Sequence, residues 1–407
     1  MFVRLRVKEF GPIRNGFESD DGLLSIKKVT LFCGPQGSGK SSIAKLLSTL
    51  SWLEKCVVKD PSLAITEDLL VQALSWQGID EYLRNSTEIE YRGHCLHLTY
   101  SAGHIGVSCV FGAEKYEIPK ISYMPAERNF ASIVKSANRV EGLPRSLVDM
   151  QVEFDKAKKF FQKGYKLPAN GFRFQFDKDP WIVNGNGQDA SRTRLECASS
   201  GLQSIVPLLL VSEYLSANLA QGAPQRSAGF FYDPGTAEKK QRIDQFVEAI
   251  RKSDLPDAQK MARLEDFFAP SRRFLNIVEE PEQNLYPETQ CDVLNSLLRI
   301  ANSRPLNQLV VSTHSPYLLN HMTLVAQAAY MRKKIDEDSV AARRIAEIVP
   351  QESLVSSDDM AIFETRMDGS VVQVEMVDGL PSDRNPLNTY LGEFNERFAR
   401  LLEAAEQ

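Results

Sequence analysis

The sequence of 407 residues predicts an α/β fold with a phosphate-binding core, and three segments carry this prediction. An apolar run over 29–33 leads into the glycine-rich segment GPQGSGKSS, and helical spacing of apolar residues follows it. Two further apolar runs, 274–278 and 308–312, end in EEPE and in THS. Short apolar runs closed by glycine or polar residues are typical of buried strands. Each of the three predicted strands therefore leads into residues that can bind phosphate, metal or water.

Composition and charge exclude several classes of protein. Hydrophobic residues make up 43% of the chain and charged residues 25%, which is typical of a globular protein and not of a disordered one. The formal net charge of −5 provides no overall positive field, so a contact with nucleic acid needs a local basic patch. No apolar run reaches the roughly 18 residues of a membrane span, and the N-terminus lacks the apolar stretch of a signal peptide. We expect a cytoplasmic protein with no membrane partner.

The cysteines and histidines offer little metal chemistry. Six widely spaced cysteines without a CxxC pair predict reduced thiols, not disulfides or a zinc site. His94, Cys95 and His97 are close in sequence, so a metal site is one interpretation. Ordinary strand residues are the favoured one, because odd spacing sends His94 and His97 to opposite faces of a strand.

Hydrophobic periodicity predicts the remaining elements. Predicted strands cover 2–10, 94–100 and 105–111, and a hairpin over 361–376 turns at Asp368-Gly369. Predicted helices cover 41–52, 68–76, 145–165 and 204–217, with one more near 238–251. A final amphipathic helix has an apolar side formed by Tyr390, Leu391, Phe394, Phe398, Leu401 and Leu402. Pro207 is compatible with the helix over 204–217 because it falls in the first turn.

Two regions have several interpretations. A run of lysines is formed by Lys156, Lys158, Lys159, Lys163 and Lys166. A solvated helix face is the favoured interpretation of this run, and a contact with nucleic acid or an acidic partner is the alternative. Residues 218–271 are polar and rich in turn residues, which indicates an insertion.

The segment 34–42 fits the phosphate-loop pattern G-x-x-x-x-G-K-[ST] in full, between a predicted strand and a predicted helix. Glycines allow the backbone angles that turn successive N–H groups inward, and the helix N-terminus adds to the attraction for phosphate. The lysine can reach the β- and γ-phosphates, and the following serine can bind Mg²⁺. The predicted nucleotide-binding residues are Gly34, Gly37, Ser38, Gly39, Lys40, Ser41 and Ser42.

Two glutamates end the predicted strand over 274–278. Glu279 is in position to hold the metal, directly or through water, and Glu280 can polarise an attacking water as general base. Aspartate is usual at the metal position, and glutamate changes the reach of the carboxylate but not its charge. A surface acidic turn is the alternative, which the upstream phosphate loop disfavours.

His314 follows the strand over 308–312, where a neutral imidazole can hydrogen-bond the γ-phosphate or orient a water. A lone histidine is more often structural, but here it follows the two preceding motifs. The segment ASSGLQS, 198–204, leads into a predicted helix. In isolation a plain N-cap is its favoured interpretation, and an anion site is the alternative.

In this order, GPQGSGKSS, ASSGLQS, IVEEPEQNLYP and STHSPYLL resemble the Walker A, signature, Walker B with D-loop, and switch-histidine motifs of ABC-type ATPases. The sequence is most similar to the soluble branch with the RecF, SMC and overcoming-lysogenization-defect (OLD-like) ATPases. Within it, the stand-alone AAA-15/AAA-21 ATP-binding proteins of bacterial defence or toxin–antitoxin loci fit best. SYMPAERN (122–129) and GLPSDRNPLN (379–388) are typical of that group.

The resemblance implies an ABC-ATPase head-like fold: a mixed sheet with a P-loop core, flanking helices and a helical signature subdomain. It also implies a head-to-head homodimer, or a higher even-numbered oligomer, that closes on two ATP molecules with Mg²⁺. The Lys40 loop of one chain and the segment Ser199, Ser200 and Gly201 of the other would hold each ATP. Ser41 would bind the metal.

The same resemblance implies the roles of three further residues and offers candidates for two more roles. Glu280 would be the hydrolytic base, His314 the switch residue and Glu279 a metal-binding residue. Arg128 is either an arginine that senses nucleotide or the interface, or part of a structural salt bridge, which is favoured. Gln151 is only a candidate for the Q-loop glutamine.

The motifs divide the chain into segments. These are the first part of the core (1–55), an arm or helical insertion (56–198), the signature helix (199–217), an insertion (218–271), the second part of the core (272–325) and a C-terminal hairpin and helix (326–407). The stretch before the signature is too short for an SMC coiled coil. The stretch after His314 is too short for a typical TOPRIM nuclease domain plus the final helix. We expect neither.

The expected function is that of an ATPase that senses or regulates a separate effector, such as a nuclease or toxin from a neighbouring gene. Two alternatives stay open: a RecF-like repair ATPase that clamps DNA itself, and a dimer that holds ATP as a scaffold without hydrolysing it. Salt-dependent DNA binding would favour the first. An unchanged low rate of phosphate release in Glu280→Gln would favour the second.

Overall fold

The computed structural model describes residues 3–59, 63–109, 116–135, 140–169, 171–185, 190–220, 270–382 and 385–405, with isolated residues between 244 and 264. Most of the predicted insertion over 218–271, including its helix near 238–251, lies outside these residues.

The described strands and helices follow in chain order. The strands are β1 Val3–Lys8, β2 Gly16–Phe17, β3 Leu24–Ile26, β4 Val29–Cys33, β5 Glu88–Arg92, β6 Leu96–Ser101, β7 His104–Cys109, β8 Pro119–Met124, β9 Tyr165–Lys166, β10 Phe172–Asp177, β11 Asp179–Asn184, β12 Ser191–Arg194, β13 Arg273–Glu279, β14 Gln308–Thr313, β15 Met360–Thr365, β16 Ser370–Gln373, β17 Met376–Val377 and β18 Leu380–Pro381. The helices are α1 Lys40–Lys59, α2 Glu67–Ser75, α3 Phe130–Ile133, α4 Arg145–Phe160, α5 Ser200–Ala220, α6 Pro287–Asn302, α7 Pro316–Arg332, α8 Val340–Ile348 and α9 Pro386–Ala405.

A seven-stranded mixed sheet, in the order β2-β16-β15-β4-β14-β13-β8, forms the centre of the protein. The strands from β15 through β4, β14 and β13 to β8 are parallel, and the hairpin β15–β16 adds an antiparallel pair at one side. Every residue of β4, β13 and β14 is buried, as expected where helices or sheets cover both faces. The predicted α/β fold with a mixed sheet around the phosphate loop is confirmed.

The register of this sheet brings the predicted motifs to one edge. Thr313 pairs with Cys33, and Ser312 pairs with Glu279. Parallel strands that pair in this way end at the same edge, so the residues that follow β4, β13 and β14 become neighbours.

One face of the central sheet is covered by α1 and then by a five-stranded antiparallel sheet, in the order β3-β1-β5-β6-β7. Leu46 and Leu50 of α1 pack with Leu5 of β1 and with Ile277 of the central sheet in one buried cluster. Their spacing places the two leucines on one face of α1, which explains why the helix predicted over 41–52 forms here.

The other face carries α4, α5, α6 and α7, whose apolar residues form a second buried cluster. A four-stranded antiparallel sheet, in the order β12-β11-β10-β9, contributes Phe174 and Ile182 to that cluster. Helix α5 is long and apolar enough to cross a membrane, but 78% of its most apolar window is buried inside the protein. Its hydrophobicity is accounted for by the core.

The prediction for Pro207 is wrong. Helix α5 begins at Ser200, so Pro207 lies in its interior and not in its first turn. A proline there cannot donate to the carbonyl of Gln203 four residues earlier. The Ser132 hydroxyl donates to that carbonyl instead, at 2.6 Å. A tertiary contact thus replaces the lost helical hydrogen bond.

Two other predicted helices differ in detail. Helix α4 ends at Phe160, whereas the prediction continued to 165. The chain forms β9 instead, in which Tyr165 pairs with Phe174 of β10. Helix α9 forms as predicted, but four residues of its apolar side are exposed: Tyr390, Phe398, Leu401 and Leu402. The side chains of Leu391 and Phe394 lie outside the described residues. The longest described helices have 20 or 21 residues, so no long coiled coil occurs in the described part of the chain.

Candidate functional site

The predicted phosphate loop lies between β4 and α1. Gly34, Gly37 and Gly39 have φ angles of 143°, 76° and 98°, which glycine adopts readily. A side chain at Gly34 would meet the backbone carbonyl of Thr365 in β15, whereas nothing lies within 4 Å of the corresponding position at Gly37. The lack of a side chain at Gly34 therefore lets the loop pack on the neighbouring strand. Gly37 is instead suited to the positive φ angle that the loop backbone adopts there.

Lys40 begins α1, and its side chain turns back into the loop. Its Nζ donates to the carbonyl oxygens of Gly34 at 2.9 Å and Pro35 at 2.7 Å. Burial lowers the pKa of Lys40 to about 8, and the negative charge of Glu280 opposes this effect. The ammonium group is therefore held in the loop at the place where the motif requires it.

The three serines of the loop have different environments. Ser38 donates to the Pro35 carbonyl at 2.7 Å and shares a hydrogen bond with the Thr365 hydroxyl at 2.6 Å, so its side chain ties the loop to β15. Ser42 is buried in the first turn of α1, and Ser41 is exposed. The Ser41 hydroxyl is the one that can reach a metal.

Glu280 and His314 lie side by side, with Oε1 of Glu280 3.3 Å from Nε2 of His314. The imidazole of His314 holds the pKa of Glu280 below its usual range, so the glutamate is a carboxylate at neutral pH. Glu280 has a φ of 42°, which is unusual for a residue with a side chain. Its N–H donates to the Ser312 carbonyl at 2.8 Å, which fixes the turn after β13.

Glu282 joins this turn to the loop that carries His314. Its Oε1 accepts from the Thr313 hydroxyl at 2.8 Å and from the His314 backbone N–H at 2.7 Å. Burial raises the pKa of Glu282, while these hydrogen bonds favour its charged form. Ser315, the next residue but one after Thr313, caps α7 by accepting from the Leu318 N–H at 3.3 Å. The backbone on both sides of His314 is therefore anchored.

Glu279 is buried, and both oxygens of its carboxylate already have protein donors. The Tyr123 hydroxyl donates to Oε1 at 2.5 Å, and the Ala126 N–H donates to Oε2 at 3.2 Å. Each carboxylate oxygen can accept a further hydrogen bond. The residues present therefore fit a hydrated Mg²⁺ that Ser41 would bind directly and Glu279 through water.

Arg128 is fully buried beneath the Walker B turn. Its guanidinium donates to the carbonyl oxygens of Glu279 and Glu280, both at 2.7 Å, and to that of Pro125 at 3.3 Å. Burial lowers the pKa of Arg128 to about 10, so it stays charged at neutral pH. The favoured structural role fits this geometry, although the partners are backbone carbonyls and not the carboxylate of a salt bridge.

The signature residues lie at the start of α5. Ser199 and Ser200 are exposed, and Gly201 is buried against the Walker B turn. A side chain at Gly201 would lie 2.7 Å from the carbonyl oxygen of Asn284. Among the described residues, no hydrogen bond or ion pair joins these three residues to the Lys40 loop of the same chain. The two exposed hydroxyls are free to meet another molecule.

The structure thus brings Lys40, Glu279, Glu280 and His314 together and adds partners that the sequence did not indicate. Those partners are Tyr123, Glu282, Thr313 and Thr365. Glu282, Thr313 and Tyr123 lie within the EEPE, THS and SYMPAERN segments, which we recognised without giving these residues a role. Thr365 had no such signal, because it comes from a strand distant in sequence and threonine is common in any strand.

Other candidates lie away from this site. Gln151 is buried in α4, where its Nε2 donates to Asp155 at 3.4 Å and its Oε1 has no hydrogen bond, so its Q-loop role stays a prediction. The lysine run does not form one helix face: Lys156, Lys158 and Lys159 lie on α4, Lys163 lies in the turn after it and Lys166 lies in β9. On α4, Lys156 pairs with Glu153 and Lys158 with Asp155.

The histidine and cysteine residues near 94–97 do not form a metal site in the described part of the chain, where no group of three or more metal-binding side chains occurs. His97 lies in β6 and meets Glu90 at 3.1 Å, and His94 lies in the preceding turn and not in a strand. None of the six cysteines, all of which lie in the described part of the chain, is joined in a disulfide.

Comparison with known proteins gives matches among solved structures. A scan with models of protein families gave no match, and neither did a search of curated proteins. The chain is similar to an SMC head bound to the C-winged helix domain of ScpA, with 12% identity over 92% of this chain and 98% of the other, and a TM-score of 0.42.

Two further SMC heads are similar to it. The SMC head domain from Thermotoga maritima has 14% identity over 79% of this chain and 92% of the other, with a TM-score of 0.34. The Smc head domain with an extended coiled coil, bound to the C-terminal domain of ScpA derived from Pyrococcus furiosus, has 10% identity over 100% of both chains and a TM-score of 0.38. Similarity at this level assigns no activity.

Proposed function

We propose that this chain is an ABC-type ATPase that binds ATP with Mg²⁺ and hydrolyses it. The observation that carries the proposal is the contact between Glu280 and His314, at 3.3 Å, at the sheet edge where the Lys40 loop also lies. A carboxylate kept ionised by an imidazole, next to a complete phosphate loop, suits the attack of water on the terminal phosphoanhydride of ATP.

Each side chain has a defined task in this proposal. The loop N–H groups and Lys40 bind the phosphate oxygens, and Lys40 exchanges its two carbonyl partners for phosphate. Glu280 accepts a proton from the attacking water, and His314 orients that water or the terminal phosphate. Mg²⁺, when bound through Ser41 and the water held by Glu279, would offset charge on the phosphates.

We further propose that the catalytic unit is a homodimer. Ser199 and Ser200 are exposed at the N-terminus of α5, a helix end that favours anions, yet they make no contact with their own Lys40 loop in the described residues. A second copy, placed head to head, would supply these hydroxyls to the nucleotide. Closure on ATP and opening after hydrolysis would give the cytoplasmic switch that the resemblance to defence and toxin–antitoxin ATPases implies.

Steady-state phosphate release tests the hydrolytic part. We expect Glu280→Gln and Lys40→Ala to abolish activity, and only Glu280→Gln to retain ATP and accumulate as a dimer on gel filtration. An exposed matched control, Glu288→Gln in α6, should hydrolyse ATP normally. If Glu280→Gln releases phosphate at the rate of the unmodified chain, Glu280 is not the base. If that shared rate is also low, the scaffold interpretation takes precedence.

A mixing experiment tests the shared site. Lys40→Ala and Ser200→Glu should each be inactive alone. In an equal mixture about half of the dimers contain one chain of each kind, and each of these has one intact site of two. The mixture should therefore recover about a quarter of the normal rate. If the mixture stays inactive while both variants fold, the site is not shared between two chains.

The regulatory part has its own test. The product of a neighbouring gene, co-expressed with this chain, should co-purify with it in only one nucleotide state, either with ATP bound or after hydrolysis. Glu280→Gln should hold the pair of proteins permanently bound or permanently apart. Equal co-purification in all nucleotide states would leave an ATPase without this regulatory role.

A further inference from the structure

The four-stranded sheet β12-β11-β10-β9 has one face in the core and one face directed outward. Residues paired across antiparallel strands share a face. Lys166, Arg173, Val183 and Arg192 form one row by successive pairing, and Gln175, Trp181 and Arg194 form the next. We call these seven residues the basic face. The opposite face contains Phe174 and Ile182, which are buried in the core, so the basic face is the outer one.

The basic face is positively charged in a protein whose net charge is negative. It contains four cations, Lys166, Arg173, Arg192 and Arg194, and no acid in its two rows. The nearest acids lie at its margin. Asp177 and Asp179 pair with each other in the next row of the same face, at the hairpin end, and Glu196 follows β12. Asp179 and Glu196 both lie 3.9 Å from Lys135, and Glu196 also lies 3.5 Å from Arg194. Lys166, Arg173 and Arg192 have no acidic partner among the described residues, so the chain itself does not neutralise most of the positive charge of these two rows.

Trp181 organises the arginines. The Arg192 guanidinium lies 4.3 Å from the centre of the Trp181 ring, and that of Arg194 lies 5.7 Å from it. A guanidinium held near an indole ring is restricted in its motion and keeps its N–H donors for hydrogen bonds, one of which Arg194 directs at Glu196 at 3.5 Å. Two arginines held in this way are prepared to bind carboxylates with little loss of side-chain entropy.

The composition favours a protein ligand over nucleic acid. Arginine and tryptophan are the residues that dominate protein interfaces, and the face contains a single lysine. The net charge of −5 repels a long polyanion, whereas a short acidic segment experiences mainly the local field. The row of four paired residues is about 14 Å wide, which suits one extended peptide.

The basic face is directly connected to the signature motif. Arg194 is followed by a single turn, Leu195–Cys197, and then by the exposed serines at the start of α5. Gln203 of α5 donates from its Nε2 to the Glu196 carbonyl at 2.9 Å and to the Leu195 carbonyl at 3.4 Å. A ligand that moves β12 therefore moves the N-terminus of α5.

We propose that the basic face is the docking site for an acidic segment of a partner protein, and that its occupancy acts on the signature serines. This docking site rests on the regulatory part of the proposed function and is the place where the partner would bind. Arg192 and Arg194 hold carboxylates, and Trp181 keeps both arginines in position.

The test measures binding of a fluorescein-labelled peptide of ten glutamates to the full chain by fluorescence anisotropy, without nucleotide. We expect binding that weakens at higher salt and weakens at least tenfold in Arg192→Glu/Arg194→Glu. Trp181→Phe should weaken it severalfold while the charge is unchanged. The matched control, Arg343→Glu/Arg344→Glu on the exposed side of α8, should bind as the unmodified chain does.

Three outcomes would overturn the proposal: no peptide binding, equal binding by the Arg192/Arg194 variant, or tighter binding of a thymidine decamer that the same variant loses. The last result would make the face a nucleic-acid site. Thermal melting of each variant, and the milder Arg192→Gln/Arg194→Gln, show whether a loss of binding reflects unfolding. Because the assay uses no ATP and can be repeated with Lys40→Ala, failure of the ATPase proposal does not affect its result.

Discussion

The carboxylate of Glu282 accepts a hydrogen bond from the backbone N–H of His314, 2.7 Å away. The same oxygen accepts from the Thr313 hydroxyl at 2.8 Å, so one buried side chain holds the start of the loop that presents the imidazole to Glu280. Hydrogen bonds therefore join the Walker B turn to the histidine loop at the edge of the sheet.

Removing this hydrogen bond should impair catalysis more than nucleotide binding. Glu282→Ala frees the His314 backbone, and a displacement of about 1 Å in a catalytic group costs on the order of 100-fold in rate. We expect kcat for ATP to fall about 10- to 100-fold, while KM changes less than about twofold because the Lys40 loop is intact. Glu282→Gln keeps an acceptor for both donors and should stay within about threefold of normal. Equal losses in both variants would show that the charge, not the acceptor, matters.

Arg128 should be required for stability. Arg128→Met keeps much of the volume but removes the guanidinium donor from the carbonyls of Glu279 and Glu280, and the Glu280 carbonyl retains only the Gln283 N–H at 3.0 Å. Loss of a buried hydrogen-bond donor costs about 1–3 kcal/mol, so we expect the free energy of unfolding in urea to fall by about 1–3 kcal/mol. Arg343→Met, at an exposed position, should change it by less than about 0.5 kcal/mol. A stable Arg128→Met chain that fails to respond to ATP would instead indicate a sensing arginine.

Two glycines in helices should respond to alanine in opposite ways. An alanine at Gly201 would place its Cβ 2.7 Å from the Asn284 carbonyl, so the Walker B turn and α5 must separate. We expect Gly201→Ala to destabilise the fold by about 1–3 kcal/mol. Gly392 lies in α9, and a Cβ added there would have no atom within 4 Å. Gly392→Ala should therefore stabilise the protein by up to about 1 kcal/mol. Calorimetric melting of both variants decides this, and a neutral Gly201→Ala would refute the close approach.

ATP affinity should depend on pH through Lys40. Phosphate binding requires the charged ammonium, and bound phosphate raises the pKa of Lys40 above the value of about 8 that burial sets in the free protein. The affinity for ATP should therefore be constant below pH 8 and fall as the pH rises above 8, by up to tenfold per pH unit. Titration with a fluorescent ATP analogue between pH 6.5 and 9.5 measures this. Lys40→Arg should remove the dependence, and an unchanged slope in that variant would assign it to another group.

The Ser132 hydroxyl should matter only while residue 207 is proline. Ser132→Ala leaves the Gln203 carbonyl unpaired, at a cost of about 1–2 kcal/mol. In Pro207→Ala the new N–H can donate to Gln203 within the helix, so Ser132→Ala should cost less in that background. A double-mutant cycle in urea should give a coupling free energy of at least about 0.5 kcal/mol. Additive effects would show that the two residues act independently.

Much of the fold and of the site followed from local sequence. The run over 29–33, the glycines of the loop and the helix after them form one continuous unit, and its residues required few distant partners. Glu280 and His314 were identifiable because each directly follows an apolar strand. The hairpin over 361–376 formed as predicted, because Asp368-Gly369 sets its turn locally.

Other features depend on pairs of residues that are far apart in the chain. The start of α5 was misjudged because its proline is accommodated by Ser132, and no local pattern reports that hydroxyl. Glu282, Tyr123 and Thr365 gained their roles from strands that only the sheet brings together. The basic face combines residues of four strands, so no continuous run of charge revealed it.

The sequence by itself determined which residues can bind phosphate and activate water, since loop conformation, strand ends and helix starts depend on neighbouring residues. Only the tertiary structure decided how those groups are held, which carboxylates are already committed to protein donors, and which charged side chains share a surface. The physical reason is that hydrogen bonds and burial act across space, so their partners are known only when the chain has folded.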